Sequence, residues 1–527
     1  MLRALTSPRG AVTAPHHLAA QAGTAVLRDG GNAVEAMVAA AATIAVVYPH
    51  MNSLGGDGFW LISRPGQAPV AIDACGRSAD LATPDWYRER GHAAIPTRGP
   101  LAANTVAGAV SGWQAALGLV PGKLSLERLL ADATWYAREG AAVTASQVDY
   151  TERFMAELAP QPGFAQAFLR DGRLPAARSI QRLPALAATL ARLAGHGLDD
   201  FYRGELGQAM AAELARLGSP LRFEDLQRQR ATIVDPLAAG LSIGTAYNLP
   251  PPTQGLASLM ILAIFDRIRG EAAAETFAHV HGIVEATKQA FLVRNRHVGD
   301  PEAVRIDARA FLDPDAIAGR ARAIDATRAR AWPEPALKGD TVWMGAADGS
   351  GIMVSYIQSV YWEFGSGVVL EDTGVTWQNR GASFSLDPAS HLALAPRRKP
   401  FHTLNPALAR LADGREIVYG NMGGDGQPQS QAAVFSRYAM FGQDLQQAVS
   451  APRWLLGRTW GQMSVSLKLE DRFDPSLVAA LRAAGHDVEI VPAYSDLVGH
   501  AGALVRHPNG MIDGASDPRS DGSVAGY

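Results

Sequence analysis

The pattern of apolar and polar residues divides the chain into a first part rich in helices and a last part rich in strands. Apolar helical patterns run over 10–47 and 108–119, and they alternate with short extended runs such as GFWLISR and PVAIDA. Most of 123–325 is helical in pattern, although SIGTAYNLPPPTQGLASLMILAIF predicts a strand, a turn and a helix. Beyond 341 extended runs dominate, with helices predicted over 429–449 and 475–485. Such blocks predict a layered α+β or α/β architecture.

The stretch LKGDTVWMGAADGSGIMVSYIQS, residues 337–359, is typical of a β-hairpin. Two runs rich in β-branched and aromatic residues flank a turn at 348–351. The segment before it, 307–340, is instead rich in Ala, Arg, Asp and Pro, and the proline after Trp332 ends any helix there. We therefore expect a flexible, exposed segment that leads directly into a rigid strand at Thr341.

Two interpretations of Thr341 are open from the residues alone. In the first, Thr341 merely opens a strand, a position that β-branched residues favour. In the second, the bond between Asp340 and Thr341 is cut, and Thr341 becomes a new N-terminus. A threonine hydroxyl is too weak an acid to attack an amide unaided, but a free α-amino group, with a pKa of about 7.7–8.0, can accept its proton. Before the cut, the same hydroxyl lies beside the preceding carbonyl and could attack it.

Composition and charge exclude several classes of function. The formal net charge of −3 over 527 residues gives no reason to expect a nucleic-acid partner. The single cysteine, Cys75, excludes an intramolecular disulfide, and no histidine spacing is typical of a catalytic metal, so we expect neither a metal nor another cofactor. The longest apolar run without a charge, 36–47, is shorter than the ~20 residues of a membrane-spanning helix, and the N-terminus lacks a signal-peptide pattern. We therefore expect a soluble, cytoplasmic protein without a membrane partner.

Ordered motifs along nearly the whole chain resemble the γ-glutamyltranspeptidase family of N-terminal nucleophile hydrolases. They are RDGGNAVEAMVAAAATIAVV, LGGDGFWLI, NTVAGAVSGW, NLPPPTQGLASL, RNRHVGDP, the run from TVWMGAAD to QNRGASF, and the ending IDGASDPRSDGSVAGY. The resemblance implies an α+β fold, the four-layer αββα sandwich, and a cut between Asp340 and Thr341. That cut would divide one αββα domain into a large subunit, 1–340, whose segment 307–340 precedes the cut, and a small subunit, 341–527.

The resemblance also implies roles for residues around Thr341, the expected nucleophile. Ser359 stands where the family has a second hydroxyl residue that contacts the nucleophile. In YGNMGGDGQPQSQAAVF, Gly423 and Gly424 match a glycine pair whose backbone N–H groups stabilise an oxyanion. From the residues alone, this turn is also compatible with an anion-binding loop or an ordinary helix entry, although the Lys-Ser/Thr of a P-loop is absent.

The sequence departs from the family at the residues that hold a γ-glutamyl group. In IDACGRSA, Cys75 replaces the arginine that binds the α-carboxylate, and Arg77 lies two residues further, on the same face of an extended segment. In QNRGASF, Ser383 replaces the acid that binds the α-amine, and Arg380 is added. A substrate ammonium would meet a cation and no carboxylate there, which is unfavourable. Tyr361 replaces a small polar residue, and Trp362 and Trp377 add bulk. We therefore expect a substrate with a carboxylate, held by Arg77 or Arg380, and no α-amine.

Two further candidate substrate contacts, His402 and Thr403 in RRKPFHTLNPAL, stand where the family has adjacent serines, although a structural role for His402 is equally compatible. The GR and QNRGASF variants resemble those of the amidohydrolase branches of the family, notably the oxamate amidohydrolases and the cephalosporin acylase-like members. We expect hydrolysis of a small carboxylate-bearing amide through a Thr341 acyl-enzyme, with oxamate favoured and oxalate and ammonia as products.

The alternative functions are a γ-glutamyltransferase or glutathione hydrolase, a glutaryl (cephalosporin) acylase, and an uncleaved binding protein. The expected partners are the two subunits of one precursor, and a dimer of such heterodimers is compatible with the sequence.

Overall fold

The computed structural model describes residues 3–333, 340–457 and 464–527. Its strands are β1 (Leu5–Ser7), β2 (Gly10–Ala14), β3 (Asp57–Ser63), β4 (Val70–Ala74), β5 (Ala141–Ala142), β6 (Ile180–Gln181), β7 (Thr232–Val234), β8 (Leu237–Leu241), β9 (Gly244–Asn248), β10 (Asp340–Asp348), β11 (Met353–Tyr361), β12 (Ala407–Leu411), β13 (Glu416–Asn421), β14 (Trp454–Leu456), β15 (Leu467–Glu470), β16 (Val488–Val491), β17 (Ala501–Arg506), β18 (Ile512–Ser516) and β19 (Ser523–Gly526).

Its α-helices are α1 (His17–Arg28), α2 (Ala33–Val47), α3 (Pro84–Arg88), α4 (Ala109–Leu119), α5 (Leu126–Glu139), α6 (Ala145–Arg153), α7 (Met155–Leu158), α8 (Phe164–Phe168), α9 (Pro184–His196), α10 (Asp200–Arg203), α11 (Glu205–Leu217), α12 (Phe223–Arg228), α13 (Gly255–Ile268), α14 (Phe277–His297), α15 (Pro314–Arg322), α16 (Gly426–Phe435), α17 (Leu445–Ser450) and α18 (Pro475–Ala483). Across these three ranges, no helix combines the length and the apolar character that crossing a membrane requires.

Two antiparallel seven-stranded sheets lie face to face at the centre of the protein. The first sheet has the order β19-β2-β10-β11-β3-β4-β7, and the second has the order β1-β18-β17-β13-β12-β9-β8. Alternate side chains of each sheet, such as Trp343, Ile357 and Val418, pack between the sheets, and the others face the helices. Helices α1, α2 and α4 lie against the first sheet, with α5 packed on α2, and α13 and α16 lie against the second, with α14 packed on α13. The predicted four-layer αββα sandwich is therefore confirmed.

The structure corrects the helical prediction for 10–47. Its first residues, GAVTA, form β2, which pairs with β10 through Thr13 and Gly345, and only the remainder forms α1 and α2. All five residues of β2 are buried, because the strand lies between a helical layer and the other sheet. A short strand buried on both faces has no alternating pattern, so periodicity does not distinguish it from a helix.

Other elements follow the prediction more closely. Helices α4 and α18 match the helices predicted over 108–119 and 475–485, whereas the helix predicted over 429–449 is divided into α16, a π-helical turn and α17. Within the segment that precedes Thr341, α15 contains only the first residues of the Arg-Ala run, and 323–333 form turns and irregular backbone. The extended approach predicted after Trp332 falls largely on 334–339, outside the described residues.

Candidate active site

Thr341 lies at the open end of the β10–β11 hairpin and is 1% exposed. Asp340 pairs with Tyr361, and Val342 pairs with Gln358, so two steps along β10 match three along β11. The extra residue therefore lies on β11, in a β-bulge that places Thr341 opposite Ser359. The structure thus brings the predicted nucleophile and the second hydroxyl residue together in the sheet.

Contacts between the two sheets show which part of the second sheet Thr341 faces. The Trp343 ring covers Gly420 of β13, where a Cβ would lie 2.1 Å from Trp343 Cδ1. The turn of the hairpin lies against Arg506, which pairs with Glu416 at the opposite end of β13. Because β10 is regular here, Thr341 and Trp343 are on the same face of the strand. Thr341 therefore faces the region just beyond the C-terminal end of β13.

The glycine pair, Gly423 and Gly424, occupies that region between β13 and α16. Their φ angles of +107° and +43° lie in the left-handed region that favours glycine. The carbonyl of Met422 accepts a hydrogen bond from Asn421 Nδ2, and the carbonyl of Gly423 accepts one from Gly426 N. Because the C=O and N–H of a trans peptide point in opposite directions, the N–H groups of Gly423 and Gly424 point away from these partners. This orientation is compatible with an oxyanion site.

Arg380 is the cation nearest to the start of the hairpin among the predicted substrate contacts. Its side chain is buried, and its Cζ lies 3.7 Å from the centre of the Tyr361 ring. Tyr361 has a φ angle of +85°, a strained conformation for a residue with a side chain. The guanidinium donates long hydrogen bonds to Thr403 Oγ1 (3.3 Å) and Phe401 O (3.5 Å). Since Tyr361 pairs with the residue before Thr341, the cation lies close to the predicted nucleophile.

The charge of Arg380 is poorly compensated. Within the described ranges, no carboxylate forms an ion pair with Arg380, and its Nε has no hydrogen-bond partner. Burial lowers the pKa of the guanidinium to about 10, although Tyr361 and Asp57 attract the charged form. A buried cation without an anion is costly, so an anionic ligand would be bound strongly here.

His402 is buried in contact with Asp57, a carboxylate that the sequence analysis did not single out. His402 Nε2 lies 3.0 Å from Asp57 Oδ2, and the ring packs edge-on against Phe59. Burial lowers the pKa of His402 well below its usual value, so the neutral ring donates its Nε2–H to the carboxylate. Burial raises the pKa of Asp57 to about 7, although N–H donors such as Gly76 N (2.9 Å) oppose the shift. This pair fits the structural role for His402, and its contact with substrate stays a prediction.

Arg77 and Ser383 differ from Arg380 in their surroundings. Arg77 forms an ion pair with Glu302 (2.5 Å), donates to Arg397 O (2.8 Å), and leaves its side chain 34% exposed. Ser383 is half-buried and its hydroxyl donates a weak hydrogen bond to Phe401 O (3.4 Å). Carboxylate binding by Arg77 stays a prediction, and it would require the Glu302 pair to open.

Among the residues that the structure describes, two groups of buried side chains have the composition of a metal site. Asp57, Cys75 and His402 form one group, and His281, Glu285 and His486 form the other, with ligand atoms within 4.8 Å of one another in each. In the first, the carboxylate already accepts N–H groups and Arg380 is close enough to act electrostatically. In the second, the Lys288 ammonium lies 2.6 Å from Glu285. Cations already close to each group disfavour the binding of a divalent ion there.

Sequence reasoning missed Asp57 because it considered the LGGDGF motif only as a whole. A single signal was available: an acidic residue at the start of an otherwise apolar strand. Asp57 pairs with Ser359 across β3 and β11, so it lies directly beneath the predicted site. The glycine before it allows this approach, since a Cβ on Gly56 would lie 2.2 Å from Ser359 O.

Comparisons with known proteins identify relatives of this chain. The gamma-glutamyltranspeptidase family model matches residues 19–527. The chain is 56% identical over 525 residues to the oxamate amidohydrolase proenzyme of Klebsiella pneumoniae subsp. pneumoniae, covering 99% of each chain. It is 38% identical over 530 residues to the glutathione hydrolase-like YwrD proenzyme of Bacillus subtilis, covering 100% of both. The crystal structure of cephalosporin acylase from Bacillus halodurans superposes with a TM-score of 0.91 at 32% identity, over 100% of this chain and 97% of that one. The chain therefore belongs to the gamma-glutamyltranspeptidase family.

Proposed function

We propose that this chain is a self-cleaving amidohydrolase that hydrolyses a small carboxylate-bearing amide, with oxamate as the favoured substrate. The observation that carries the proposal is the buried guanidinium of Arg380, which stacks on Tyr361 at the open end of the hairpin and has no paired carboxylate among the described residues. In oxamate the carboxylate carbon is bonded directly to the amide carbon. One molecule can therefore pair its anion with Arg380 and present its amide carbonyl to Thr341. The 56% identical relative named oxamate amidohydrolase proenzyme supports the same substrate.

Self-cleavage would precede catalysis. Thr341 Oγ1 attacks the carbonyl carbon of Asp340, the peptide C–N bond breaks, and the nitrogen takes up a proton as an ester forms. Water then hydrolyses the ester, leaving a carboxylate on Asp340 and a free hydroxyl and amine on Thr341. The products are a large subunit, 1–340, and a small subunit, 341–527, in line with the proenzyme names of the relatives.

Amide hydrolysis then uses the new N-terminus. The α-amine of Thr341 accepts the hydroxyl proton as Oγ1 attacks the amide carbon, and the oxyanion that forms faces the N–H groups of the glycine pair. The C–N bond breaks, and ammonia leaves with the proton that the amine returns. Water, deprotonated by the same amine, attacks the ester and releases oxalate. Ser359 would orient the Thr341 hydroxyl, and Arg380 would hold the carboxylate throughout.

The test combines chain cleavage with substrate choice. The purified protein, incubated and separated on a denaturing gel, should give two fragments, and sequencing of the smaller one should begin at Thr341. Ammonia release should be fast with oxamate and slow with glutamine and with glutaryl amides. Thr341→Ala should remain one chain and release no ammonia. Full activity from an uncleaved wild-type chain would disprove the mechanism, and faster turnover of glutamine or glutaryl amides would disprove the substrate.

The relatives name two competing substrates for the same site. A glutathione hydrolase would need a carboxylate near Ser383 for the substrate amine, and within the described ranges Ser383 donates only to Phe401 O. A γ-glutamyl anilide and a glutaryl amide in the same assay would identify these activities. A cytoplasmic location and a dimer of heterodimers stay predictions.

A further inference from the structure

A chain of three buried polar side chains connects the glycine pair to the Arg380 side of the site. It consists of Gln254, Arg294 and Asp425, which are 0%, 1% and 2% exposed. We infer that Gln254, held by Arg294 and Asp425, is a positioning residue that sets the glycine pair against the carboxylate-binding side and thereby controls the rate of amide attack. The inference rests on the proposed function and deepens it.

The amide nitrogen of Gln254 joins two loops. Its Nε2 donates to Thr403 O (2.7 Å) and to Gly424 O (2.8 Å). The first loop supplies the Thr403 hydroxyl that Arg380 contacts, and the second loop is the glycine pair itself. One amide group therefore determines the separation between the predicted carboxylate site and the predicted oxyanion site.

Arg294 fixes which way the Gln254 amide faces. Arg294 Nη1 donates to Gln254 Oε1 (3.0 Å) and to Asp425 Oδ1 (2.6 Å). A guanidinium can only donate, so the amide oxygen must face it, and the amide NH₂ must face the two carbonyls. The arginine is itself held, because its Cζ lies 3.6 Å from the centre of the Phe291 ring. Asp425 follows Gly424 directly, so the chain of contacts returns to the glycine pair.

The glycine pair requires such support because its backbone is intrinsically free to move. Residues without a Cβ at φ angles of +107° and +43° are not held there by their own side chains. The hydrogen bond to Gly424 O limits rotation of the peptide that follows the pair. An oxyanion contact exists only in the transition state, whereas the Arg380 contact exists in both states. Loss of the support should therefore lower kcat and leave KM nearly unchanged.

The experiment compares two isosteric substitutions in the cleaved enzyme, with rates expressed per cleaved chain. Gln254→Glu keeps the shape but replaces the NH₂ group, so the side chain cannot donate to either carbonyl. Gln147→Glu makes the same change at a buried amide that donates to Gln181 Oε1 (2.6 Å) and to no member of this chain of contacts. Gln254→Met, which is neutral and of similar volume, repeats the test if the glutamate variant does not fold.

We expect kcat for oxamate to fall about 10- to 100-fold in Gln254→Glu, with KM within about 3-fold of wild type. Gln147→Glu should lose comparable stability and keep kcat within about 3-fold. Unchanged kcat in the Gln254 variants, a change in KM alone, or an equal fall in kcat in both positions would overturn the inference. A wild type that releases no ammonia from oxamate would refute the proposed function, whereas an active wild type with unaffected Gln254 variants would refute the inference alone, so the two failures are distinguishable.

Discussion

Arg380→Met separates the role of this arginine in substrate binding from its effect on stability, because the substitution should raise the free energy of unfolding and weaken the binding of the substrate carboxylate. The substitution keeps an unbranched side chain of similar length and removes the charge. The protein should become more stable and at the same time lose its preference for substrates with a carboxylate. A gain in stability together with a loss of substrate preference is expected only where a buried charge has its anionic partner on the substrate and not on the protein.

The gain in stability follows from the cost of burying the charge. Burial lowers the pKa of Arg380 from 12.5 to about 10. A shift of this size corresponds to about 3 kcal/mol against the charged form, at 1.36 kcal/mol per pKa unit. The stacking of the guanidinium on Tyr361 offsets about 1–2 kcal/mol of that cost. The free energy of unfolding of Arg380→Met should therefore rise by about 1–2 kcal/mol, measured by urea denaturation.

The loss in substrate preference follows from the lost ion pair. A charge-assisted hydrogen-bonded contact contributes about 2–4 kcal/mol, so kcat/KM for oxamate should fall about 30- to 1,000-fold. Acetamide, which lacks the carboxylate, should react slowly with both proteins and change little. The measured quantity is the ratio of kcat/KM for oxamate to that for acetamide.

Arg437→Met is the matched control. Arg437 is also buried and also lies near an aromatic ring, with its Cζ 5.5 Å from the centre of Trp454, but it pairs with Glu275 at 2.6 Å. This control should lose stability and keep the oxamate preference. The reasoning is refuted if Arg380→Met is less stable than wild type and the ratio for oxamate over acetamide is unchanged.

Three further changes test other parts of the site and its surroundings. Gly423→Ala places a Cβ at a φ angle of +107°, so kcat should fall about 100-fold while urea denaturation still shows a cooperatively folded protein; unchanged kcat would contradict the oxyanion role. Because its pKa is raised from 3.8 to about 7, Asp57 holds a proton between these pH values in the folded state but not in the unfolded state. The free energy of unfolding, measured by urea denaturation, should therefore fall by up to about 4 kcal/mol as pH rises from 4 to 7. Asp57→Asn should not show this fall. His16 and His486 have pKa values lowered to about 3, so below pH 6.5 they take up protons when the protein unfolds. The free energy of unfolding should therefore fall as pH decreases from 6.5 to 3, and urea denaturation of His486→Asn should show a smaller fall.

The candidate site could be predicted in part because some of its chemistry is local in the sequence. Thr341 is recognisable from the abrupt start of a hairpin after a segment rich in Arg, Ala and Pro, and from the ordered motifs around it. The glycine pair is recognisable from a strand, a glycine-rich turn and a helix in succession. Each of these signals depends on neighbours within about twenty residues, which is the range over which pattern and turn chemistry act.

The sequence by itself determined that the fold combines helical and sheet layers, that a hairpin begins near Thr341, and which residue is the expected nucleophile. Only the tertiary structure decided which of two arginines lacks a counter-ion, because Arg77 meets Glu302 225 positions away while Arg380 meets no carboxylate in the described ranges. It also decided that residues 10–14 form a strand, and that Asp57 lies under the site against His402, 345 positions away. Burial, ion pairing and the direction of a pKa shift are properties of contacts between distant segments, and the order of residues along the chain does not contain them until the layers are packed.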